Sequence, residues 1–531
     1  MGEISVDGKN GASVKSAAEM AGRFYAELIT DLPDWERRLA ESPGELEQLE
    51  RDVHAVFARG ADLLVVGLIA LVMKRREFES AAKQSRKDYR FPLRRGTNRQ
   101  IRVRLLGGLV AWVTSLYCAP KRKLFGEAVP ADAPGLYLEL NQFGFGKGCS
   151  PGLQSRVSRQ AAICPSLQLA TQELQRDGVQ LNVKAVRRIA QQCGEGLLAL
   201  RKHEIELWRE GKLPAGTELH EKRVTVQIDG GRTKIRGALC KSAQPVRETN
   251  EDGLPTEDAP GRSKRKPKRT FAADWREPKL VTIFVHDECG RMAKNSQVTI
   301  DGTFEGPDAI AEMVAMHLHR LGAAKAKSVT FAADGATWIW DRVPTIVQQA
   351  KLDGVLIYEV LDCCHATHHI SLALAAQGLN SEERVSLYRM YRTMLRNGQW
   401  QEIVANFKEI AADASHKNEA LETEIAYLEK HGKAGRLKYP YFRSQGIPIG
   451  SGAIESSIRR VINLRLKGNG VFWKQEAAEA MLQIRSLVIA NRWDDRIQTM
   501  RKHSAYDGST NWKWNPRPMS CKAEDNLQTS T

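Results

Sequence analysis

The succession of short apolar strands and amphipathic helices between residues 222 and 361 constrains the fold of this chain most strongly. Strand patterns cover 222–229, 233–240 and 280–286, followed by a helix at 307–321, a strand at 327–333, another helix and a strand at 354–361. The first two strands flank Gly230 and Gly231 and are expected to pair as a hairpin. This order predicts a mixed α/β sheet.

Helical patterns occupy most of the remaining sequence. Residues 15–90 and 158–209 have helical apolar spacing, with short strands between about 100 and 140. Residues 362–445 contain no convincing strand, and a new helix is expected near 450. The predicted domains are an N-terminal basic module (1–150), a helix-turn-helix-like module (151–221), a core in two parts (222–361 and 446–505), a helical insertion (362–445) and a disordered tail (506–531).

Basic residues are concentrated in one part of the chain. The formal net charge is +16, and residues 74–123 hold 15 basic and three acidic side chains. Arg102 and Arg104 are predicted to share one face of a strand, because side chains alternate along a strand. Arg94, Arg95 and Arg99 lie shortly before them in the sequence, and these basic residues could contact DNA phosphates. An ordinary solvated face is the alternative.

A second candidate DNA contact lies between residues 167 and 208. Gly178 is expected to end one helix and Asn182 to cap the next, as in a helix-turn-helix unit. Lys184, Arg187 and Arg188 would then face outward. The pattern fits both a recognition helix in a major groove and a simple structural helix pair.

Composition excludes several classes of protein. The longest apolar run, residues 61–73, is shorter than the roughly 20 residues of a membrane span, and the N-terminus lacks a secretory pattern, so no membrane association and a cytoplasmic location are expected. Nine cysteines without a Cys-x-x-Cys pair predict reduced thiols and no structural zinc. Residues 242–278 are predicted to form a flexible charged loop.

Three acidic residues occupy positions that suit two-metal catalysis. Asp229 and Asp334 end predicted strands, and Glu455 lies near the start of a late helix. Carboxylates on rigid elements can hold two Mg²⁺ or Mn²⁺ ions, with Asp229 bridging both and Asp334 and Glu455 each binding one. Asp301 is a rival for the first position. It is disfavoured because the residues between it and Asp334 leave no room for the hairpin that a first strand needs.

Residues 223–493 resemble bacterial insertion-sequence transposases of the DDE class. The motifs that carry the resemblance are Gln-Ile-Asp229-Gly, Ala-Ala-Asp334-Gly-Ala-Thr-Trp338-Ile-Trp340, Leu-Asp362-Cys-Cys-His365 and Ile447-Pro-Ile-Gly450-Ser-Gly452-Ala-Ile-Glu455-Ser-Ser-Ile-Arg-Arg460. The arrangement is similar to that of the Mutator-like and hAT-like groups. It implies a ribonuclease-H-like core with an all-α insertion, preceded by mainly helical DNA-binding modules.

The resemblance also implies an activity and partners. Such enzymes bind the terminal inverted repeats of their element, hydrolyse its ends and join the 3′ hydroxyls to target DNA. His365 would lie near the scissile phosphate, whereas His368 and His369 match no motif and are expected to be structural. A homodimer or larger assembly on DNA, associated with the bacterial nucleoid, is implied. A DNA-binding regulator without catalysis and a simple nuclease remain alternatives.

A basic run follows Glu455. Its five members are Arg459, Arg460, Arg465, Lys467 and Lys474. Arg459 is expected either to form an ion pair with Glu455 one helical turn away or to contact a phosphate. Trp473 could stack on an unpaired base, with a core aromatic as the alternative.

Overall fold

The structure is a computed structural model that describes residues 2–507, except 10, 88, 90–91, 122, 125–126, 129–134, 147, 238–270, 414–417 and 469. The predicted tail beyond 507 and residues 242–270 of the predicted charged loop lie outside the described residues. The chain divides into two compact units, residues 1–203 with 493–531, and residues 204–492. Of the seven described cysteines, all are free thiols and five are buried.

The first unit combines a helical hairpin with a small antiparallel sheet. Its strands are β1 (Glu3–Ser5), β2 (Thr97–Arg104), β3 (Val110–Cys118), β4 (Lys123–Leu124), β5 (Glu127–Ala128) and β6 (Leu136–Tyr137). Its helices are α1 (Ala17–Glu41), α2 (Leu46–Met73), α3 (Arg76–Lys87), α4 (Leu138–Gln142), α5 (Pro151–Ile163), α6 (Leu167–Arg176) and most of α7 (Val183–Arg209). The sheet has the order β1-β3-β2, with β6 also paired to β3, and β4 pairs separately with β5.

The apolar face of α2 packs with this sheet. Leu63 and Val66 are buried in one core cluster with Ile101, Val103 and Val113 of the strands. The helix is longer than the predicted apolar run. Together with the preceding 3₁₀ turn it spans Pro43–Met73. By length and composition alone, this segment is long and apolar enough to cross a membrane, and 44% of its most apolar stretch is buried.

The predicted boundary between α6 and α7 is confirmed. Gly178 adopts a left-handed φ of 81° after α6. The Asn182 side chain accepts a hydrogen bond from the Ala185 backbone N–H at 2.8 Å. Lys184, Arg187 and Arg188 are exposed on α7, as the apolar spacing predicts.

The second unit contains a five-stranded mixed sheet. Its strands are β7 (Arg223–Gly230), β10 (Lys279–Val285), β11 (Thr299–Thr303), β12 (Ser328–Ala333) and β13 (Leu356–Leu361), in the order β11-β10-β7-β12-β13. Strand β10 is antiparallel to both neighbours, whereas β12 is parallel to β7 and to β13. The prediction of a mixed α/β sheet is therefore confirmed.

The predicted pairing of residues 233–240 with the first strand is wrong. These residues contribute β8 (Thr233–Gly237), which pairs with β9 (Ala272–Arg276) in a separate two-stranded sheet. Strand β8 is held away from β7 because the Thr233 hydroxyl donates to the Leu466 carbonyl at 2.7 Å and the Arg236 backbone N–H donates to the Trp473 carbonyl at 2.8 Å. Strand β10 takes the place beside β7, and residues 272–276 of the predicted flexible loop form β9.

Helices flank the sheet and form the insertion. Those before the insertion are α8 (Pro307–Leu321), α9 (Thr337–Trp340) and α10 (Val343–Gln349). The insertion comprises α11 (Cys363–Ala376), α12 (Ser381–Arg396), α13 (Trp400–Asp413), α14 (Glu419–Lys433) and α15 (Tyr439–Ser444), and the described residues of 362–445 contain no strand, as predicted. Next come α16 (Gly452–Ile458), a π-helical turn (Arg459–Asn463) and α17 (Gln475–Ile489), while α18 (Trp493–Asp507) belongs to the first unit.

Candidate active site

Asp229 and Asp334 lie side by side at the carboxyl ends of adjacent parallel strands. Ile228 of β7 is in register with Ala333 of β12. Asp229 follows Ile228 and Asp334 follows Ala333 in the sequence. Burial is the main reason that the pKa of Asp229 rises to about 6, and the nearby charge of Asp334 raises it further. The two carboxylates therefore share one electrostatic environment at this edge of the sheet.

The next strand brings Asp362 to the same edge. Strand β13 ends at Leu361, in register with Ala333, and Asp362 follows as the N-cap of α11. Its Oδ1 accepts hydrogen bonds from the backbone N–H of His365 at 2.7 Å and from its imidazole Nδ1 at 3.3 Å. Its Oδ2 accepts from the backbone N–H of Ser451. Burial alone would raise the pKa of Asp362, but these hydrogen bonds outweigh it and lower the pKa to about 2.

The His365 imidazole is held at this edge of the sheet by its contact with Asp362. The hydrogen bond with Asp362 is the main cause of its raised pKa, and the negative charges of Asp334 and Asp229 contribute to the same shift. The side chain is partly exposed. An imidazole held in this way can carry a proton close to the aspartates and still be reached from solvent.

Glu455 reaches the site from the first turn of α16. The Ser451 hydroxyl donates to its Oε1 at 3.1 Å. Ligand atoms of Asp362, His365 and Glu455 lie within 4.8 Å of one another, the one such group of three that the described residues contain. The site thus has two adjacent parts, this cluster and the Asp229–Asp334 pair, with His365 within electrostatic range of both aspartates.

A buried glutamine holds α16 on the sheet. Gln227 lies two residues before Asp229 on β7 and is only 1% exposed. Its side-chain amide donates to the Gly450 carbonyl at 2.8 Å and accepts from the Ile454 backbone N–H at 2.9 Å. The sequence interpretation missed Gln227 and Ser451. A polar residue inside the apolar run Val-Thr-Val-Gln-Ile was the available indication for Gln227.

Asp301 has a different environment. It is 2% exposed on β11, and its Oδ2 is 2.8 Å from Nε2 of His317 on α8. Two strands, β10 and β7, separate β11 from β12, which precedes Asp334. This placement agrees with the preference for Asp229 as the partner of Asp334.

The predicted DNA contacts of the first unit are mostly exposed. Arg94, Arg95, Arg99 and Arg102 are exposed, and the Arg99 guanidinium lies 4.2 Å from the centre of the Tyr117 ring. Arg104 is on the same strand face as Arg102, as predicted, but is half-buried and donates to the Gly108 carbonyl at 3.2 Å. Burial lowers its pKa.

The basic run after Glu455 is only partly available to DNA. Arg459, Arg460, Lys467 and Lys474 are exposed. Arg465 is 4% exposed and its guanidinium lies 5.2 Å from the centre of the Trp473 ring, which contradicts its prediction as a surface DNA contact. The Trp473 indole donates to the Leu466 carbonyl at 3.2 Å, so this side chain is half-buried rather than free to stack on a base.

One of the two contacts predicted for Arg459, an ion pair with Glu455, does not form. Both Arg459 and Glu455 are among the described residues, and no ion pair within 4 Å joins them. Glu455 is instead bound by Ser451. The phosphate contact of Arg459 stays a prediction.

Comparisons with known proteins give one structural likeness. No protein-family model matches the sequence, and a search of curated proteins found no match. The chain is similar in structure to the Drosophila P element transposase strand transfer complex, with a TM-score of 0.31 and 10% sequence identity over 66% of this chain and 93% of that chain. A TM-score of this size establishes neither a shared fold nor a shared activity.

Proposed function

We propose that this protein is a DNA transposase that binds the terminal inverted repeats of an insertion sequence and catalyses metal-dependent end cleavage and strand transfer. The observation that carries the proposal is the convergence of Asp229, Asp334 and the Asp362–His365–Glu455 cluster at one edge of the mixed sheet. Carboxylates from separate rigid elements at one sheet edge are the arrangement that two-metal phosphodiester chemistry needs.

The topology of the second unit supports a ribonuclease-H-like core. In chain order, its three antiparallel strands β11, β10 and β7 and the two parallel strands β12 and β13 are arranged 3-2-1-4-5. The helices α11 to α15 stand between the strand that precedes Asp362 and the helix that carries Glu455. The transposase resemblance implies a helical insertion in this part of the chain, and the position of these helices supports it.

The chemistry of the donor atoms supports Mg²⁺ or Mn²⁺, with Asp229 and Asp334 in one part of the site and Glu455 in the other. Asp229, Asp334 and Glu455 offer hard carboxylate oxygens, and the side-by-side placement of Asp229 and Asp334 favours a bound cation because their negative charges repel. When bound, the ions would activate the attacking oxygen and stabilise the leaving oxygen. Asp362 is the less suitable ligand, since both of its carboxylate oxygens already accept hydrogen bonds.

His365 acts beside the carboxylates in this proposal. Asp362 fixes the Nδ1 side of the imidazole, so the opposite nitrogen, Nε2, is the one that can face a phosphate oxygen. A protonated imidazole would donate a hydrogen bond to the phosphate and neutralise part of its charge. Asp362 therefore positions His365 without touching the DNA.

Exposed basic residues would bind the DNA backbone. In the first unit these are Arg94, Arg95, Arg99, Arg102, Lys184, Arg187 and Arg188, and in the second Arg459, Arg460, Lys467 and Lys474. Because two element ends must be joined, the active form would be a homodimer or larger assembly on DNA. We place the protein in the bacterial cytoplasm with the nucleoid.

The proposal is tested by a strand-transfer assay with purified protein. The substrates are a pre-cleaved duplex end, taken from the inverted repeats that flank the gene, and a supercoiled target plasmid, with Mg²⁺ or Mn²⁺. Asp229→Asn, Asp334→Asn and Glu455→Gln should each lower joining by about 10³-fold or more, as loss of a central catalytic group does. Asp353→Asn, which changes an exposed aspartate in the same unit, is the control.

The outcomes separate three functions. Unchanged activity in all three active-site variants would refute the assignment of the site. Cleavage of an intact end without joined product would make the protein a nuclease, and repeat binding without cleavage would make it a DNA-binding regulator.

A further inference from the structure

The helical hairpin of α1 and α2 carries a large share of the exposed apolar side chains. Ten of the 22 large apolar side chains that are exposed in the described part of the chain lie on these two helices. Soluble monomers rarely expose a contiguous apolar patch larger than a few hundred Å². A partner that covers this surface is therefore expected.

On α2 the exposed apolar side chains form a row with heptad spacing. Phe57, Leu64, Leu68 and Leu71 are exposed, and Ala61 occupies the remaining position of the row. The alternating steps of four and three residues are those of the a and d positions of a coiled coil, whose side chains pack against another helix. The row on α2 is therefore a coiled-coil seam.

Helix α1 has the same pattern. Tyr25, Ile29, Leu32 and Leu39 follow the heptad spacing and are exposed, and Glu36 is the one charged residue in the row that they form. Because both rows remain exposed, no helix in the described ranges of the chain covers either of them. Each helix thus offers a seam for a helix of another molecule.

The two rows lie on the same side of the hairpin. A Cβ atom at Gly67 would overlap the backbone of Ala17. One at Gly60 would overlap the ring of Phe24, so α1 and α2 are antiparallel. On both helices the residues of the row directly follow these contact residues, which is a rotation of about 100°. Since the helices are antiparallel, an equal rotation turns both rows to one side.

The sheet of the first unit occupies the other side of α2. Leu63 and Val66 are buried there with the strands, so α2 could cross a bilayer only by leaving its own core. Residues 17–73 hold 11 acidic and five basic side chains, whereas helices that lie on membranes are rich in Lys and Arg. The charge of the hairpin therefore disfavours anionic lipid and DNA as its partner.

The size of the apolar face suits a second copy of the chain. Two adjacent helices over the length of residues 18–39 present a face about 20 Å wide and about 33 Å long, or roughly 650 Å². Two such faces together would bury about 1,300 Å², within the about 1,200–2,000 Å² of specific and stable interfaces.

We propose that two copies of this protein form a dimer through α1 and α2, which pack as a four-helix bundle with the apolar rows of both hairpins at its centre. Eight of the 11 acidic residues lie between residues 31 and 52, around the closed end of the hairpin. A two-fold axis that places the closed ends at opposite ends of the bundle keeps these charges apart. The dimer forms without DNA, and it does not depend on the activity proposed above.

Sedimentation equilibrium of the purified full-length protein at micromolar concentration, without DNA, tests the inference. The wild type should have twice the mass of one chain. Ile29→Glu and Leu68→Glu each place a charge within an apolar row, and each should raise the Kd of the dimer about 30-fold or more, as loss of a hot-spot residue does. The matched control is Ile163→Glu, because Ile163 is 54% exposed in the same unit but lies outside the hairpin, and Ile29 is 64% exposed.

Each result decides the inference. A monomeric wild type would overturn it, and so would a dimer that Ile29→Glu and Leu68→Glu both keep, since another surface would then join the copies. Flotation of the wild type with vesicles of phosphatidylcholine and phosphatidylglycerol, lost in both variants, would assign the face to a bilayer and also overturn it.

Circular dichroism shows whether the variants fold. Ile29→Ser and Leu68→Ser remove the apolar contacts without adding a charge, and they replace a glutamate variant that does not fold; they too should weaken the dimer. A dimeric wild type that neither cleaves nor joins DNA would count against the proposed function and leave the dimer interface supported.

Discussion

At the scale of single residues, buried polar side chains organise the candidate site. Asp362 is 1% exposed, yet its carboxylate joins the start of α11 to Ser451 and so to the helix that carries Glu455. Gln227 makes the equivalent connection from β7. Buried groups of this kind stabilise one arrangement only when every hydrogen bond is made, because an unpaired buried polar atom is costly.

Another buried residue, His286, should make stability depend on pH. It is 3% exposed at the end of β10, its Nδ1 lies 2.9 Å from the Thr225 hydroxyl, and Nε2 has no hydrogen-bond partner among the described residues. Burial, assisted by the charge of Arg223 and opposed by Asp287, lowers its pKa from 6.5 to about 4. The unfolded chain therefore binds a proton before the folded one does.

The contribution of His286 is present above pH 6.5 and is lost as pH falls toward 4. From the pKa difference it amounts to at most about 3 kcal/mol. We expect His286→Gln to reduce the slope of unfolding free energy against pH in urea titrations between pH 4 and 7. The control is His368→Gln, at an exposed histidine in the same unit, which should leave the slope unchanged. Equal slopes for wild type and His286→Gln would contradict the prediction.

At the scale of elements, local sequence patterns predicted where helices and strands form better than they predicted which strands pair. The helices of the insertion follow from apolar spacing and capping residues such as Asn380, which forms a capping box with Glu383. The partner of β7 could not be predicted in this way. Two glycines after Asp229 suggest a hairpin, but the position of β8 is decided by hydrogen bonds to Leu466 and Trp473, more than 230 residues away in sequence.

The same limit applies to the candidate site. The sequence predicts Asp229, Asp334 and Glu455 as site residues from their places at the ends of predicted elements and from the transposase resemblance. The burial of Arg465 was not, because a basic residue in a basic run has the same sequence appearance whether it faces DNA or a tryptophan ring. Long-range contacts, not local propensity, decide between these environments.

The attachment of α16 to β7 can be tested through Gln227. In Gln227→Leu the Gly450 carbonyl and the Ile454 N–H lose the side chain that pairs with them. We expect the free energy of unfolding to fall by about 1–3 kcal/mol. We also expect strand transfer to fall because α16 carries Glu455. Urea denaturation measures the free energy of unfolding, and Gln401→Leu, at an exposed glutamine, is the control. If the stability of Gln227→Leu is within about 0.5 kcal/mol of wild type, as surface substitutions usually give, the two hydrogen bonds contribute little.

At the scale of the whole molecule, the charge surplus belongs largely to a small part of the first unit. Residues 74–123 include β2 and β3, whose apolar faces are buried with α2 while Arg99 and Arg102 are exposed. Arg102 lies on the face of β2 opposite the buried Ile101 and Val103, whereas Arg99 lies on their face, next to Tyr117. Exposed guanidinium groups bind phosphates without reading sequence, so their contribution should appear in the salt dependence of affinity.

Replacing Arg99 and Arg102 with alanine should therefore weaken binding to repeat and unrelated duplexes alike. Each phosphate contact that is lost should reduce the slope of log K against log salt by about 0.9. Fluorescence anisotropy with labelled duplexes at several salt concentrations measures both effects. Arg51→Ala is the control, because Arg51 is exposed on α2 but already forms an ion pair with Glu47. If the double variant keeps the wild-type slope, β2 is a solvated surface and the DNA contacts of this unit must come from other residues. The next residues to replace would then be Lys184, Arg187 and Arg188 on α7.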